Sequence, residues 1–362
     1  MIKMKKNKRV VVAMSGGVDS SVVACILKDQ GYEVIGITLQ LYKSNTPNIN
    51  KKSCCAGQDI YDAKKVARKI NIPHYVLDYE KKFNDLVIKN FVDSYQSGET
   101  PIPCVQCNQY IKFSELLITA KSYGAHYLAT GHYIKAKSLG SKIGLFIADD
   151  INKDQSYFMF QTKKKDISYL KFPLGEINKD QTRQLAKKYQ IPVAHKPESQ
   201  DICFIPDGNY RNFLKKYSGF GKIGNIEDDK GNVLGRHNGI ENYTVGQRKY
   251  LNIALGYPLY VLKILKESNK IIVGDKLKLN STSFNITDFN WLGEGNIVKR
   301  STLKKVLVKV RARHIPVEGD VELLNEKNAI VKLNEDTNAV AKGQGCVIYK
   351  QNGQLLGGGW IQ

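Results

Sequence analysis

The sequence predicts an α/β domain with a mostly parallel sheet, followed by a small mixed domain and a C-terminal all-β domain of barrel type. Three observations carry this. From residue 9 to about 148, short apolar runs alternate with helical patterns. From 207 to about 280, glycines and turn pairs crowd together, among them Asp229-Lys230-Gly231-Asn232 and Gly274-Asp275. From Ser281 onward short strands recur between glycines, and Lys305, Lys309, Arg311 and Arg313 alternate with Val306, Val308, Val310 and Ala312, the period of two of a strand with one buried face. A chain of 362 residues is long for one domain. The boundaries are placed as 1–206, 207–280 and 281–362.

The elements follow in order. Strands are expected at 10–14, 34–39, 74–77 and 127–130. Between them, 20–30 reads as a helix ended by Gly31, and 59–70 as one ended before Pro73. Phe83, Leu86, Val87, Asn90 and Phe91 show helical spacing, and 111–123 reads as a helix ended by Gly124. This is a βαβ series with helices on both faces of the sheet. A hairpin-like passage at 143–149, helical patterns at 167–169 and 180–189, a proline-bearing stretch at 191–197 and the run 199–205 complete the first domain. Ligands of such sheets bind beyond the carboxyl ends of the strands, where 15–21 and Gly131-His132 both fall.

The stretch Ser15-Gly16-Gly17-Val18-Asp19-Ser20-Ser21 is the most informative. A buried strand stops at a glycine pair and a helix starts at once, which aims backbone N–H groups and the positive end of a helix dipole at one spot. The pattern G-x-x-x-x-G-K-[ST] is absent, so this loop is an anion site without the lysine of the common phosphate loop. Asp19 is a candidate Mg²⁺ ligand, and Ser20 and Ser21 are candidates to cap the helix or to donate to phosphate. The plainer reading is a βα turn with a capped helix.

The chain holds 55 Lys and Arg against 34 Asp and Glu, a formal charge of +21 that favours a polyanionic partner. No stretch approaches the length of a membrane span, and the apolar run after the basic N-terminus is too short for a signal peptide. Seven scattered cysteines suit a reducing cytoplasm with thiols kept for chemistry. Cys104 and Cys107 lie among Pro101 and Pro103, so we expect a loop ahead of a helix beginning near Ile111, where the dipole would stabilise a thiolate. Structural zinc would need a second C-x-x-C pair, which the sequence lacks. Cys203, read alone, is a buried cysteine in an apolar run, and Cys25 and Cys346 read as core.

The loop string resembles the pyrophosphate loop of the ATP-pyrophosphatase superfamily, whose members cleave ATP between the α- and β-phosphates. Further strings extend the likeness over nearly the whole chain: Ser53-Cys54-Cys55, Cys107-Asn108 with Ile111-Lys112-Phe113, Ala129-Thr130-Gly131-His132-Tyr133, Lys153-Asp154-Gln155-Ser156-Tyr157, the stretch from Ser199 to Phe204, Tyr243-Thr244-Val245-Gly246-Gln247-Arg248 and Gly357-Gly358-Gly359-Trp360-Ile361. With these the chain resembles the bacterial tRNA-specific 2-thiouridylases of the MnmA type.

The resemblance implies a Rossmann-like ATP-pyrophosphatase domain, a small central domain and a C-terminal β-barrel that together grip the anticodon arm of tRNA. It implies replacement of the C2 oxygen of the wobble uridine of tRNAs for glutamate, glutamine and lysine by sulfur, after adenylation by ATP with Mg²⁺. By the same carry-over, Ala13, Met14, Ser15, Gly16, Gly17, Val18, Asp19, Ser20, Leu39 and Gly131 line the ATP site. Cys203 accepts sulfur as a persulfide from a sulfur-relay protein or cysteine desulfurase, and Cys107 completes the transfer, leaving a Cys107–Cys203 disulfide. The implied tRNA contacts are Ile102, Pro103, Cys104, His132, Lys153, Asp154, Gln155, Arg311, Ala312 and Gln344, with the protein a monomer on its RNA.

One departure bears on mechanism. Many members have Asn-Pro-Asp where this chain has Ile102-Pro103-Cys104, so a carboxylate is lost and a C-x-x-C pair is created. With Cys203 that pair gives three thiolates, enough for a [4Fe–4S] cluster with one open iron, as some related tRNA thiolases use. An AMP-forming ligase using an amine nucleophile, and a tRNA-binding protein without activity, are the remaining readings.

Overall fold

In the computed structural model, which describes residues 8–42, 57–198, 201–205, 208–219, 221–297, 300–338 and 340–362, Val10, Val11 and Val12 are wholly buried within β1 (Arg9–Ala13). A strand covered on both faces needs no polar alternation, which explains the unbroken apolar run. β1 pairs in parallel with β2 (Glu33–Gln40) on one side and β4 (Tyr127–Ala129) on the other. With β3 (His74–Asp78) and β7 (Leu170–Lys171) the sheet runs β3-β2-β1-β4-β7, all parallel. The chain leaves β1 toward β2 and returns on its other side as β4, so the crevice beyond the carboxyl ends of β1 and β4 is the topological switch point.

Helices α1 (Val18–Asp29) and α2 (Gly57–Lys69) follow β1 and β2. The helical spacing after β3 resolves into α3 (Glu80–Phe83), a π-helical turn Asn84–Ile88 and α4 (Lys89–Gln96). Next come α5 (Pro103–Gln106), a π-helical stretch Cys107–Leu116 and α6 (Leu117–Ser122). This corrects the loop expected around the cysteines. Proline is excluded only from helix interiors; Pro103 takes the first helical position, where its fixed φ fits and its missing N–H is one no partner would have met. The hairpin lies slightly earlier than expected, as β5 (Lys135–Leu139) with β6 (Lys142–Phe146) turning at Gly140, because the first strand is polar and carries no apolar signal. α7 (Lys179–Lys188) opens on a capping box between Asn178 and Gln181.

The chain divides into two compact units: Met1–Val87 with Cys104–Gly208 and Gly353–Leu355, and Ile88–Pro103 with Asn209–Asn352 and Leu356–Gln362. In the second, α8 (Tyr210–Ser218) accompanies a four-stranded sheet of β8 (Ile223–Glu227), β9 (Val233–Asn238), β10 (Tyr260–Leu265) and β11 (Lys270–Gly274), ordered β10-β11-β8-β9. Its core is Ile226, Val261, Ile271 and Val273, all wholly buried. The remaining strands, β12 (Asn280–Trp291), β13 (Thr302–Lys309), β14 (Val317–Leu323), β15 (Ala329–Asn338), β16 (Gly345–Tyr349) and β17 (Leu355–Ile361), close into a barrel in the order β12-β15-β14-β13-β16-β17. The fold class predicted from the sequence is the one observed. The basic strand is shorter than its alternation suggested: β13 ends at Lys309, and Arg311 and Ala312 lie in the bend beyond it.

Candidate active site

The anion loop is shaped by its neighbours in the first unit. The Met14 N–H donates to Ile37 O (2.8 Å), and Thr38 Oγ1 donates to Met14 O (2.7 Å), so the chain leaves β1 on a fixed course. Gly16 has φ +75°, and a Cβ there would lie 2.2 Å from the Asp59 carbonyl oxygen. Only glycine fits. Gly17 is the N-cap of α1 and no side chain caps the helix. Ser20 and Ser21 brace the loop instead: Ser20 Oγ accepts from Ser15 N (3.1 Å) and Ser21 Oγ donates to Gly17 O (2.8 Å). The first turn of α1 therefore has no side-chain cap, although the sequence offered Ser20 and Ser21 as candidates for one. Gly131, after β4, packs on the same turn; a Cβ would lie 2.9 Å from Ser20 N. Residues Ala13 to Ser20 and Gly131 therefore share one locus, with Leu39 buried near the carboxyl end of β2.

Cations that the sequence reading missed surround the loop. Lys179 Nζ lies 2.6 Å from Asp19 Oδ1 and 3.1 Å from Glu198 Oε1, with its side chain only 10 % exposed. Tyr133 Oη lies 3.1 Å from the same Asp19 oxygen and 2.9 Å from Thr182 Oγ1; burial and the Asp19 charge keep it a phenol. Lys196 Nζ reaches Asp59 and Asp62 (2.6 Å each) and Gly16 O (3.1 Å), and against the cost of burial the two carboxylates hold it firmly protonated. Lys153, already singled out by the resemblance as an RNA contact, pairs with Glu198 at 2.7 Å. Burial would raise the Glu198 pKa, but Lys153 and Lys179 bring it below the usual range. The legible signal for Lys179 was Asn178-x-x-Gln181, a helix start that fixes where its first residue stands.

The thiols sit differently from the expectation. Cys107 opens the π-helical stretch at 8 % exposure, and burial pushes its thiol up, with only the Lys112 charge opposing. It also stands a full turn inside the helical run that opens at Pro103, away from the helix N-terminus where the sequence reading placed it. Asn108, buried beside it, donates to Phe158 O (3.1 Å) and accepts from Lys112 Nζ (3.1 Å), so it positions the cation for Cys107. His132 Nδ1 is 2.6 Å from Thr130 Oγ1, between Phe113 and Phe172; burial and Lys112 push its pKa well down, so the ring is neutral. Cys104 is exposed, and Cys203 is half-buried with its carbonyl accepting from Tyr42 Oη (2.8 Å). Cys25 and Cys346 are core residues, as predicted. Among the described residues no three or more His, Cys, Asp or Glu are grouped to hold a metal ion, and Cys104, Cys107 and Cys203 are no exception. Cys54 and Cys55 lie outside the described residues.

The expected RNA contacts carry structural duties. Asp154 accepts from Ala148 N (3.0 Å) and Ser156 Oγ (2.6 Å), and Gln155 Oε1 accepts from Tyr133 N (3.0 Å), holding that loop in shape. In the second unit, Gln344 Nε2 donates to Thr100 O (3.0 Å) and Thr100 N to Lys342 O (2.9 Å), which fixes the segment leading to the buried Ile102 and Pro103. Arg311 Nη2 lies 3.4 Å from Val245 O.

Three family models match in succession: a tRNA methyl transferase HUP domain at 8–207, a tRNA methyl transferase PRC-barrel domain at 211–275 and an aminomethyltransferase β-barrel domain at 281–361. The chain is 52 % identical over 357 residues to the tRNA-specific 2-thiouridylase MnmA of Rickettsia canadensis, covering 98 % of this chain and 96 % of that protein. It is 51 % identical to that of Rickettsia conorii over the same shares, and 52 % identical over 360 residues to that of Rickettsia bellii, again over 98 % and 96 %. A loop built for an anion, a buried thiol beside a lysine and half-identity along the whole chain agree, and the chain belongs to the tRNA-specific 2-thiouridylase family.

Proposed function

We propose that the protein replaces the C2 oxygen of the wobble uridine of tRNA for glutamate, glutamine and lysine by sulfur, using ATP. The observation that carries this reading is the pairing, within one unit, of an uncapped glycine loop with Cys107 beside Lys112. An anion loop alone fits any AMP-forming enzyme; the buried thiol favours sulfur transfer over the methyl transfer in the family models' names.

The uracil C2 oxygen is a poor leaving group, so it first attacks the α-phosphate of ATP and pyrophosphate departs. Residues Ala13 to Ser20, Leu39 and Gly131 are assigned to ATP, and the first turn of α1 with Lys179 and Lys196 to the charge on the departing pyrophosphate. Asp19, the loop's one carboxylate and paired with Lys179, is the residue that would hold a Mg²⁺ ion there. Mg²⁺ there would offset phosphate charge.

Cys203 then carries the incoming sulfur as a persulfide, delivered by a sulfur-relay protein or cysteine desulfurase. Its terminal sulfur attacks C2 and AMP leaves with the former C2 oxygen. The Cys107 thiolate attacks Cys203 Sγ, so sulfur stays on the base and a Cys107–Cys203 disulfide forms. Lys112, held by Asn108, favours the thiolate at the moment of attack.

Segment 1–206 is assigned to adenylation and thiolation, and 207–280 and 281–362 to the anticodon arm. Ile102, Pro103, Cys104, His132, Lys153, Asp154, Gln155, Arg311, Ala312 and Gln344 are the proposed RNA-facing set, in a cytoplasmic monomer. Among the described residues no helix is long and apolar enough to cross a membrane.

Cys107→Ser and Cys203→Ser should each abolish 2-thiouridine in a nucleoside digest while tRNA still binds in a filter assay. Normal thiolation by either variant would refute the two-cysteine scheme.

A further inference from the structure

Cys107 is almost closed to solvent, yet the scheme above leaves it oxidised after each turnover. At 8 % exposure in a helical segment, it offers a reductant little access. Cys104 is exposed and stands three residues earlier in the same continuous run of helical backbone, which crosses Gln106 at φ −63° and ψ −41°. Residues three apart in a helix lie on one face with Cα atoms about 5 Å apart. That separation is within the range a disulfide spans.

We propose that Cys104 is the resolving thiol of this enzyme, moving the oxidised state of Cys107 to the surface. The Cys104 thiolate attacks Cys107 Sγ; a Cys104–Cys107 bond forms, the Cys107–Cys203 bond breaks, and Cys203 leaves as a thiolate that takes up a proton. No net oxidation occurs in this exchange. The exposed Cys104 sulfur is then attacked by an external dithiol reductant, which becomes a disulfide and returns both cysteines to thiols. Cys203 is restored for the next persulfide before the reductant arrives. The inference rests on the two-cysteine reading of the proposed function, and it gives a task to the residue that replaces the usual aspartate.

The test uses the full chain with tRNA, ATP and an inorganic persulfide, without added reductant. After a single turnover the mixture is quenched in acid, alkylated and mapped by non-reducing mass spectrometry. Cys104 and Cys107 share one tryptic peptide, and Cys203 lies on another. Wild type should show an internal Cys104–Cys107 disulfide with Cys203 alkylated, whereas Cys104→Ser should accumulate the Cys107–Cys203 cross-linked pair. If wild type retains the Cys107–Cys203 link with Cys104 alkylated, the resolving role is wrong and the proposed function stands. If Cys107 enters no disulfide in either protein, both fail. As an independent check, Cys203→Ser equilibrated in a dithiothreitol redox buffer should form the Cys104–Cys107 disulfide; failure to form it at any ratio overturns the pairing.

Discussion

Lys179 Nζ stands 2.6 Å from Asp19 Oδ1, so the one carboxylate of the anion loop is already matched by a cation on a different helix. The same lysine reaches Glu198, and it is therefore shared between two acids before any phosphate arrives. Bringing a pyrophosphate to the first turn of α1 adds a third claimant for that charge. Lys179→Met should raise the KM for ATP about tenfold or more, the loss of one charge-assisted contact of about 1.5–3 kcal/mol. Binding of tRNA should hold. Pyrophosphate release at varied ATP is the measurement, and an unchanged KM would remove Lys179 from the nucleotide site.

Gly16→Ala tests the loop itself. The substitution places a methyl 2.2 Å from the Asp59 carbonyl at φ +75°, so α2 or the loop must move. The expected cost is about 1–3 kcal/mol of stability in urea unfolding, with loss of tRNA-dependent pyrophosphate release. Gly17→Ala, whose Cβ would meet nothing closer than Ser15 Oγ at 3.6 Å, should fold nearly as well as wild type. Equal destabilisation by the two would show that the close approach at Gly16 is not what the loop requires.

These two sites differ in how far the sequence disclosed them. The loop was legible because its demands are local: a buried strand, two glycines and a helix start leave one solution. The parallel sheet was legible for the same reason, from runs such as Val10 to Val12. Lys179 and Lys196 were invisible because their meaning is tertiary; each is an ordinary lysine until the fold carries it over more than a hundred residues to Asp19 or Asp59. The helix through Cys107 was not legible because proline breaks a helix only in its interior, and the sequence does not mark that Pro103 stands at a first position. The end of β13 was not legible because alternation persists in sequence beyond the point where pairing with β14 and β16 stops.

Cys107 and Lys112 give a pH prediction. Burial raises the Cys107 thiol above its ordinary range, so at neutral pH it is protonated and slow to react. Alkylation by iodoacetamide, followed by peptide mapping, should label exposed Cys104 first, with Cys107 reacting only as pH rises well into the alkaline range. Lys112→Met removes the one opposing charge and should shift the Cys107 profile further alkaline. The folded state holds this proton more tightly than the unfolded chain, so its contribution to stability is complete below the unfolded thiol pKa and is lost as pH rises through the folded one. Labelling of Cys107 before Cys104 at neutral pH would contradict the burial argument.

His74 supplies the complementary prediction on the acid side. Thr38 Oγ1 gives its one proton to Met14 O, so it accepts from His74 Nε2 at 2.8 Å, and Nδ1 is left buried without a partner among the described residues. Protonation would place a charge on that nitrogen, and burial, helped by the nearby Lys64 charge, lowers the pKa to about 4. The unfolded histidine titrates near 6.5. The neutral ring's contribution is thus complete above pH 6.5 and is lost as pH falls from there toward 4, on the order of 2–3 kcal/mol over that window once solvent screening of the half-buried ring is allowed for. Because Thr38 fixes the Met14 carbonyl, this titration reaches the entrance of the anion loop. Urea unfolding of wild type should weaken across the window, and His74→Gln should show a flatter pH dependence there. Equal slopes for the two proteins would assign the acid loss to other groups.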